Sequence, residues 1–447
     1  MRNLFVTLTK VIVPAFLLGA CSTQKQLAKV ADRQVIGKEG MSNAHIGIAI
    51  YDPASGQFLY QHNAGKYFVP ASNTKLFSLY AGLKYIGDSL PAIRYHETAD
   101  SIYLEPTGDP SFLHSDYPKQ PLVAWLKAQQ KPLVLSDANW QSKQWGMGWS
   151  WDDYNSSYMA ERSPLPVYGN VIKWTQTIDK MENALGEPVE DVFVYSDPEV
   201  NWKVRLLPER GKSFSVVRDR DNNIFTITEG KEPVRTVEVP FVTNGVLSAL
   251  DLLRDTIGKS ITYIPASVAK KGTKVIWSQP TDSMLAPMMH RSDNLFAEQT
   301  LLVASQQLLG VMDTERIIDT LLRSDLKGLP HAPRWADGSG LSRYNLFTPA
   351  DFIWLLEKME REFGAKRLEW ILPAGDEGTL TNYYKDIKGK IHAKTGTLSG
   401  VVGLSGYLQT SKGKRLLFSV LVNNHNTSAS TVRRSVEQFL MHLYKTY

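Results

Sequence analysis

A serine hydroxyl is a poor nucleophile until something takes its proton. Ser72 has an amine three residues on, at Lys75, within Pro70-Ala71-Ser72-Asn73-Thr74-Lys75. Residues three apart share a helix face, so the lysine can reach the serine oxygen as its base. The same spacing recurs at Ser22-Lys25, Ser267-Lys270, Ser324-Lys327 and Ser411-Lys414, so spacing alone selects none of the five. Two later triplets carry complementary chemistry. Ser292-Asp293-Asn294 offers a hydroxyl, a carboxylate and an amide, while Lys394-Thr395-Gly396 offers an ammonium and a hydroxyl beside a residue with no side chain.

The elements around these groups separate the five pairs. Ile46, Ile48 and Ile50 alternate with Gly47 and Ala49, Pro53-Ala54-Ser55-Gly56 supplies a turn, and Phe58 and Tyr60 resume the alternation, which predicts a β-hairpin. Pro70 then stops the strand, and Ser72 or Asn73 can cap an apolar helix over 76–83. Ser72 thus stands at a strand-to-helix junction, where the backbone N–H groups of a helix start favour an anion. Ser22 lies in a polar tether and Ser411 in a strand turn. Strands are predicted near 192–195, 213–217 and 224–227, with a turn at 219–223, within an irregular β-rich insertion over 96–275. The aromatics between Trp140 and Trp151 read as core packing. Helical periodicity returns at 284–289, over 295–309 around Glu298, and near 351–359 after the loop Asp337-Gly338-Ser339-Gly340. Three strands, from 390, over 401–408 and over 415–422, precede a closing helix over 430–444. The expected architecture is α/β. A discontinuous domain, 21–95 with 276–447, holds an antiparallel sheet flanked by helices, and the middle of the chain is an excursion from it.

The chain has 447 residues, 43% hydrophobic and 21% charged, enough for two or three ordinary globular domains. Its formal net charge of +5 comes without a lysine/arginine tract or aromatic–basic interleaving, so no nucleic-acid partner is expected. Arg2 and Lys10 precede an apolar run at 11–18 that is too short to span a bilayer and ends in small residues, the pattern of a secretory signal over 1–20. Leu18-Gly19-Ala20-Cys21 then looks like a bacterial lipobox, which would make Cys21 the acylated first residue of an exported protein held on the periplasmic face of a membrane. It is the only cysteine, so no internal disulfide is possible.

Ser72-x-x-Lys75, Ser292-Asp293-Asn294 and Lys394-Thr395-Gly396 follow one another in the order found in penicillin-binding proteins and serine β-lactamases. The 217 positions from Lys75 to Ser292 are far more than a compact β-lactamase domain needs. Further segments extend the likeness: Gly108-Asp109-Pro110-Ser111, Gly148-Trp149-Ser150-Trp151-Asp152-Asp153, Asp337-Gly338-Ser339-Gly340-Leu341-Ser342-Arg343 and Gly378-Thr379-Leu380. From about residue 27 onward the chain resembles the low-molecular-mass class C penicillin-binding proteins, the D-alanyl-D-alanine carboxypeptidase/endopeptidase family.

The resemblance implies a penicillin-binding/β-lactamase-like transpeptidase domain with a large β-rich insertion, and no metal or cofactor. It also implies that Ser72 attacks the penultimate D-alanine carbonyl of a peptidoglycan stem peptide while Lys75 takes its proton. Burial and nearby positive charge would both lower the lysine pKa. Backbone N–H groups of Ser72 and Thr397 would form the oxyanion hole, and Ser292 would pass a proton to the departing D-alanine. Asn294 would hold the substrate amide, Lys394 and Thr395 its terminal carboxylate, and Gly396 would let the substrate backbone lie against the strand. β-Lactams would be covalent inhibitors at Ser72. Asp153 and Tyr158 match positions where this family binds the side-chain ammonium of diaminopimelate, and Arg343 would meet its carboxylate. Asp293 reads equally as a helix cap.

Two alternatives stand beside this reading. A serine β-lactamase needs a deacylating base, and Glu377-Gly378-Thr379-Leu380-Thr381 only approximates the Glu-x-x-Leu-Asn pattern of class A enzymes, 83 positions after Asn294. A membrane-tethered, non-hydrolysing binder of cell-wall peptide has no need of the intact trio.

Overall fold

The computed structural model describes residues 25–182, 187–264 and 272–447. Cys21, the leader before it, Ser22, Ser267 and Lys270 lie outside the described residues. Alternation in β1 (His45–Asp52) sends Ile46, Ile48 and Ile50 to one face of a sheet and Gly47 and Ala49 to the other. β1 pairs antiparallel with β2 (Gln57–His62), as the hairpin pattern predicts. The chain then enters a single 3-10 turn, Ala71–Thr74, that runs into α1 (Lys75–Tyr85). That turn overrides the expected capping. Thr74 occupies the N-cap of α1, with no side-chain cap. The Ser72 hydroxyl is engaged by Lys75, and the buried Asn73 amide has no hydrogen-bond partner among the described residues.

The excursion begins earlier and ends later than 96–275. It takes in β3 (Ser89–Glu97), β4 (Ile102–Pro106), α2 (Pro121–Ala128) and β5 (Leu133–Leu135). A second group follows: β6 (Val171–Glu182), β7 (Pro188–Asp197), β8 (Val204–Leu206), β9 (Ser215–Arg218), β10 (Phe225–Thr228) and β11 (Val234–Pro240). It closes with α3 (Leu247–Ile257), β12 (Ile261–Tyr263) and β13 (Lys274–Pro280). Among the described residues these strands form sheets in the orders β12-β5-β4-β3-β13, β11-β6-β7 and β8-β10-β9. β3 pairs with β13, so the chain leaves and re-enters the first domain through neighbouring strands of the insertion, and the boundaries move to 89 and 280. The insertion has its own core, built on Leu104, Phe112, Trp174, Phe225 and Phe241, and contains α2 and α3 besides its strands. The tryptophan-rich stretch does not join that core. Trp151 is 73% exposed, and Trp149 donates from its indole N–H to Asp337 Oδ2 at 2.9 Å.

The chain returns through α4 (Thr281–His290), α5 (Asn294–Leu309), α6 (Thr314–Arg323), α7 (Pro349–Phe363) and α8 (Ala365–Ile371). β14 (Ile391–Leu398), β15 (Val401–Gln409) and β16 (Arg415–Asn423) follow, and α9 (Ala429–Thr446) closes the chain. The main sheet has the order β14-β15-β16-β1-β2 and is antiparallel throughout. Both faces are buried. α1, α4, α5 and α7 cover one, around Phe77, Leu301, Phe352 and Leu421. α9 and Leu27, Val30 and Val35 cover the other, around Ile48, Phe418 and Phe439. β14 is a sheet edge, and only its first part is covered. Ala393 N donates to Pro373 O at 3.1 Å and Gly375 N to Ile391 O at 3.2 Å.

Candidate active site

Five elements converge on Ser72. α1 carries Lys75 on its first turn, so its amine reaches back to the hydroxyl: Lys75 Nζ lies 2.9 Å from Ser72 Oγ. It also lies 2.6 Å from Asn294 Oδ1 and 2.7 Å from the Ser339 carbonyl. Lys75 is fully buried, and burial pushes its pKa from the ordinary 10.5 down to about 8. The charges around it differ from expectation. The carboxylates of Asp337, Glu298 and Asp293 pull the value upward, so burial lowers it against them rather than with help from a cation. Neither described rival makes such a contact: Ser324 Oγ donates to Thr320 O, and Lys414 pairs with Asp52.

The second triplet sits where α4 ends and α5 begins. Ser292 adopts a φ of +60°, a left-handed conformation that is costly for a residue with a side chain and typical of functional turns. Its hydroxyl accepts from Lys394 Nζ at 2.9 Å. Asp293 caps α5 by accepting from Phe296 N at 3.0 Å. Asn294 bridges the two sides of the site, accepting from Lys75 and donating to the Tyr158 carbonyl at 2.8 Å.

The third triplet lies on the free edge of β14. The Lys394 amine is buried, and burial, reinforced by the charge on Lys75, holds its pKa well below the ordinary lysine value. Thr395 Oγ1 donates to Thr379 Oγ1 at 2.8 Å, which buttresses the strand from the Gly378–Leu380 turn. Arg433 donates to Thr397 Oγ1 at 2.6 Å. Because Ala393 N points away from β15, strand alternation turns the N–H groups of Thr395 and Thr397 to the same outer edge. A Cβ at Gly396 would stand 2.6 Å from Pro70 O and 2.7 Å from Asn73 Nδ2, so its bare backbone lets β14 pack onto the nucleophile turn. Gly340 presses on that turn from the opposite side. Its φ is +80°, and a side chain would overlap the Ala71 carbonyl.

A cleft of about 810 Å³ opens above these groups, lined by Ser72, Ser292, Asn294 and Thr397 together with Asp153, Tyr158 and Arg343. Burial, aided by a hydrogen bond to Asp153, raises the Tyr158 phenol pKa. Arg343 donates to the Ser399 carbonyl at 2.7 Å, beside the β14–β15 turn. Glu377 is absent from the cleft wall, and its Oε2 accepts from Ala374 N at 3.2 Å.

Behind Lys75 lies a support that residue spacing does not reveal. Glu298 is buried in α5, accepts from Ser339 N at 2.7 Å, and pairs with buried Arg162 at 2.8 Å. The Ser339 carbonyl accepts from Lys75, so the backbone of one residue, through its N–H and its C=O, links the ion pair to the amine. Asp337 fixes the rest of that loop, accepting from Gly340 N, Ser342 N and Asn345 Nδ2 at 2.7–2.8 Å. A carboxylate at position 298 within an apolar helix signals a buried partner, but nothing local points to Arg162.

Known proteins resemble the chain over most of its length. The chain is 26% identical over 486 residues to a D-alanyl-D-alanine carboxypeptidase of Actinomadura sp. (strain R39), covering 96% of this chain and 88% of that one. Its fold matches penicillin binding protein 4 (dacB) from Haemophilus influenzae at a TM-score of 0.71 and 21% identity, over 94% of this chain and 98% of the other. The same protein complexed with a β-lactam matches at 0.68, with 18% identity over 94% and 99%. A predatory endopeptidase from Bdellovibrio bacteriovorus, in complex with an immunity protein, matches at 0.52, with 14% identity over 90% and 94%. A family model described as D-Ala-D-Ala carboxypeptidase 3 (S13) matches residues 26–443, so the chain belongs to that family of serine peptidases.

Proposed function

We propose that Ser72 is the acylated nucleophile of a periplasmic D-alanyl-D-alanine carboxypeptidase/endopeptidase that acts on peptidoglycan stem peptides, with Lys75 as its base. The observation that carries this is the buried Lys75 amine, depressed to about 8 and 2.9 Å from Ser72 Oγ. Two of its three partners are carbonyl oxygens, which only accept, and the third is the hydroxyl. A neutral amine therefore spends its two N–H groups on Asn294 and Ser339 and turns its lone pair to Ser72.

In this reading Ser72 Oγ bonds to the penultimate D-alanine carbonyl carbon as its proton passes to Lys75 Nζ. The oxyanion is held by the N–H groups of Ser72 and Thr397, the second of which faces the open edge of β14. The carbon–nitrogen bond then breaks, and the departing amine takes a proton through Ser292. Water adds to the acyl carbon, releases the shortened peptide and restores the Ser72 hydroxyl. Lys394 and Thr395 receive the terminal carboxylate, which supplies the counter-charge that the buried Lys394 amine lacks. Asn294 holds the substrate amide while fixing Lys75. Asp153, Tyr158 and Arg343 receive the zwitterionic end of a diaminopimelate side chain at the outer part of the cleft.

Digestion of purified peptidoglycan by wild type and Ser72→Ala tests the assignment. Wild type removes pentapeptides or converts crosslinked dimers to monomers, and Ser72→Ala does neither; an active Ser72→Ala enzyme refutes it. A β-lactamase would turn over a penicillin repeatedly, whereas the peptidase holds it as a long-lived adduct. A non-hydrolysing binder would fail to label with a fluorescent penicillin. The exported, lipid-anchored location rests on the leader and on Leu18-Gly19-Ala20-Cys21. Among the described residues no helix is long and apolar enough to cross a membrane. Labelled fatty acid incorporated by wild type and lost in Cys21→Ala supports the anchor, and equal incorporation refutes it.

A further inference from the structure

On the far side of Ser292 and Asn294 lies a second cavity, of about 410 Å³, which shares those two residues and Tyr158 with the catalytic cleft. Its remaining wall is charged in both signs. Arg291 pairs with Asp116 yet keeps its side chain 49% exposed. Lys173 stands 3.2 Å from Ser115 Oγ and 3.8 Å from Glu238 Oε1, at the start of β6. A guanidinium has five N–H donors and an ammonium three, so both cations retain donors for an incoming carboxylate.

We propose that this cavity receives the leaving half of a crosslinked stem-peptide dimer, the peptide whose side-chain amine departs when Ser72 is acylated. The inference rests on the reading of Ser72 as nucleophile and gives that site an endopeptidase substrate. A carboxypeptidase releases one amino acid, for which the carboxylate site proposed at Lys394 and Thr395 suffices. A crosslinked dimer releases an amine that continues into a second peptide, with carboxylates of its own and an ammonium. That peptide cannot run straight on along β14, because Pro373–Gly375 already pairs with the strand at Ile391 and Ala393. It must turn aside at Ser292, the group that hands a proton to the departing amine, and the second cavity begins there. Arg291 and Lys173 suit the carboxylates of the departing peptide, and Asp116 and Glu238 its ammonium. None of these four side chains contacts Ser72 or Lys75 in the hydrogen-bond network, so hydrolysis of a pentapeptide does not need them.

The test measures kcat/KM of the whole protein on a crosslinked muropeptide dimer and on a monomeric pentapeptide. Wild type is compared with Lys173→Glu, which reverses a charge, and Ser115→Trp, which fills the cavity. Dimer cleavage is expected to fall about tenfold or more in both variants, while pentapeptide hydrolysis and fluorescent-penicillin labelling stay within about twofold of wild type. Unchanged dimer cleavage in either variant, or parallel losses on both substrates, overturns the inference. A wild type that hydrolyses the pentapeptide but not the dimer overturns it alone. One that hydrolyses neither overturns the nucleophile reading as well.

Discussion

If Lys75 is the base, acylation of Ser72 follows the neutral fraction of that amine, and pH is the cleanest perturbation. With its pKa at about 8, the neutral share is about 1% at pH 6, about 9% at pH 7 and about half at pH 8. Acylation should therefore rise about fiftyfold from pH 6 to pH 8 and less than about twofold from pH 8 to pH 10. A lysine at the ordinary 10.5 would instead gain about eightyfold more between pH 8 and pH 10. The assay is the second-order rate of labelling by a fluorescent penicillin that has no group titrating in this range. A rate still climbing about tenfold per pH unit above pH 9 would show that burial does not hold the amine down. A flat profile from pH 6 to pH 10 would remove Lys75 from the rate-limiting proton transfer. The same depression acts on stability, with a definite sign. A lysine whose folded pKa lies below its unfolded value destabilises the fold by about 3 kcal/mol below pH 8, and the penalty is relieved as pH rises from about 8 toward 10.5.

Four further outcomes follow from the same contacts. Lys75→Met should abolish labelling, and its stability relative to wild type should be about 2 kcal/mol more favourable at pH 7 than at pH 10, measured by denaturant unfolding at both values. Arg162→Ala leaves the Glu298 carboxylate buried without its cation, so unfolding free energy should drop by about 3–5 kcal/mol, with Arg162→Lys recovering only part because it lacks the planar fork. Gly396→Ala should slow acylation at least about tenfold while leaving thermal stability closer to wild type than Arg162→Ala does, because the added methyl group wedges β14 off the Ser72 turn; an unchanged labelling rate would contradict this. Asp153→Ala should raise KM for diaminopimelate-ended peptides and spare a generic thioester substrate, and equal loss on both would count against its proposed role.

What could be read from residue order was whatever is local. The hairpin at 45–62, the helix from Lys75 and the strands over 391–423 follow from alternation and turn chemistry, and their positions agree with the sheet. The three triplets meet because each occupies an end or edge of such an element. Other features depended on pairing across the chain. Arg162 finds Glu298 from 136 positions away, and no periodicity announces that contact. The expected insertion boundary at 96 falls within β3, because the Gly87-Asp88 turn between helix and strand does not say which sheet the strand joins, and only pairing with β13 assigns 89–95 to the second sheet. Ser72 and Asn73 looked like caps because their side chains suit that task, yet a 3-10 turn places Thr74 there instead. Trp151 followed the statistics of aromatic burial in expectation, but it stands exposed on the segment that brings Ser150 and Asp153 to the cleft.

The half-covered edge of β14 has a consequence for solubility. An unpaired, apolar sheet edge invites the same strand of another molecule, the first step toward aggregation. Here the Pro373–Gly375 segment occupies the stretch around Ile391 and Ala393, so a second copy finds only the Lys394–Leu398 portion to pair with. That portion is short, carries a buried lysine and ends in a glycine turn with φ of +72° at Gly400. The covering segment thereby limits the length over which the same strand of another copy could pair to Lys394–Leu398.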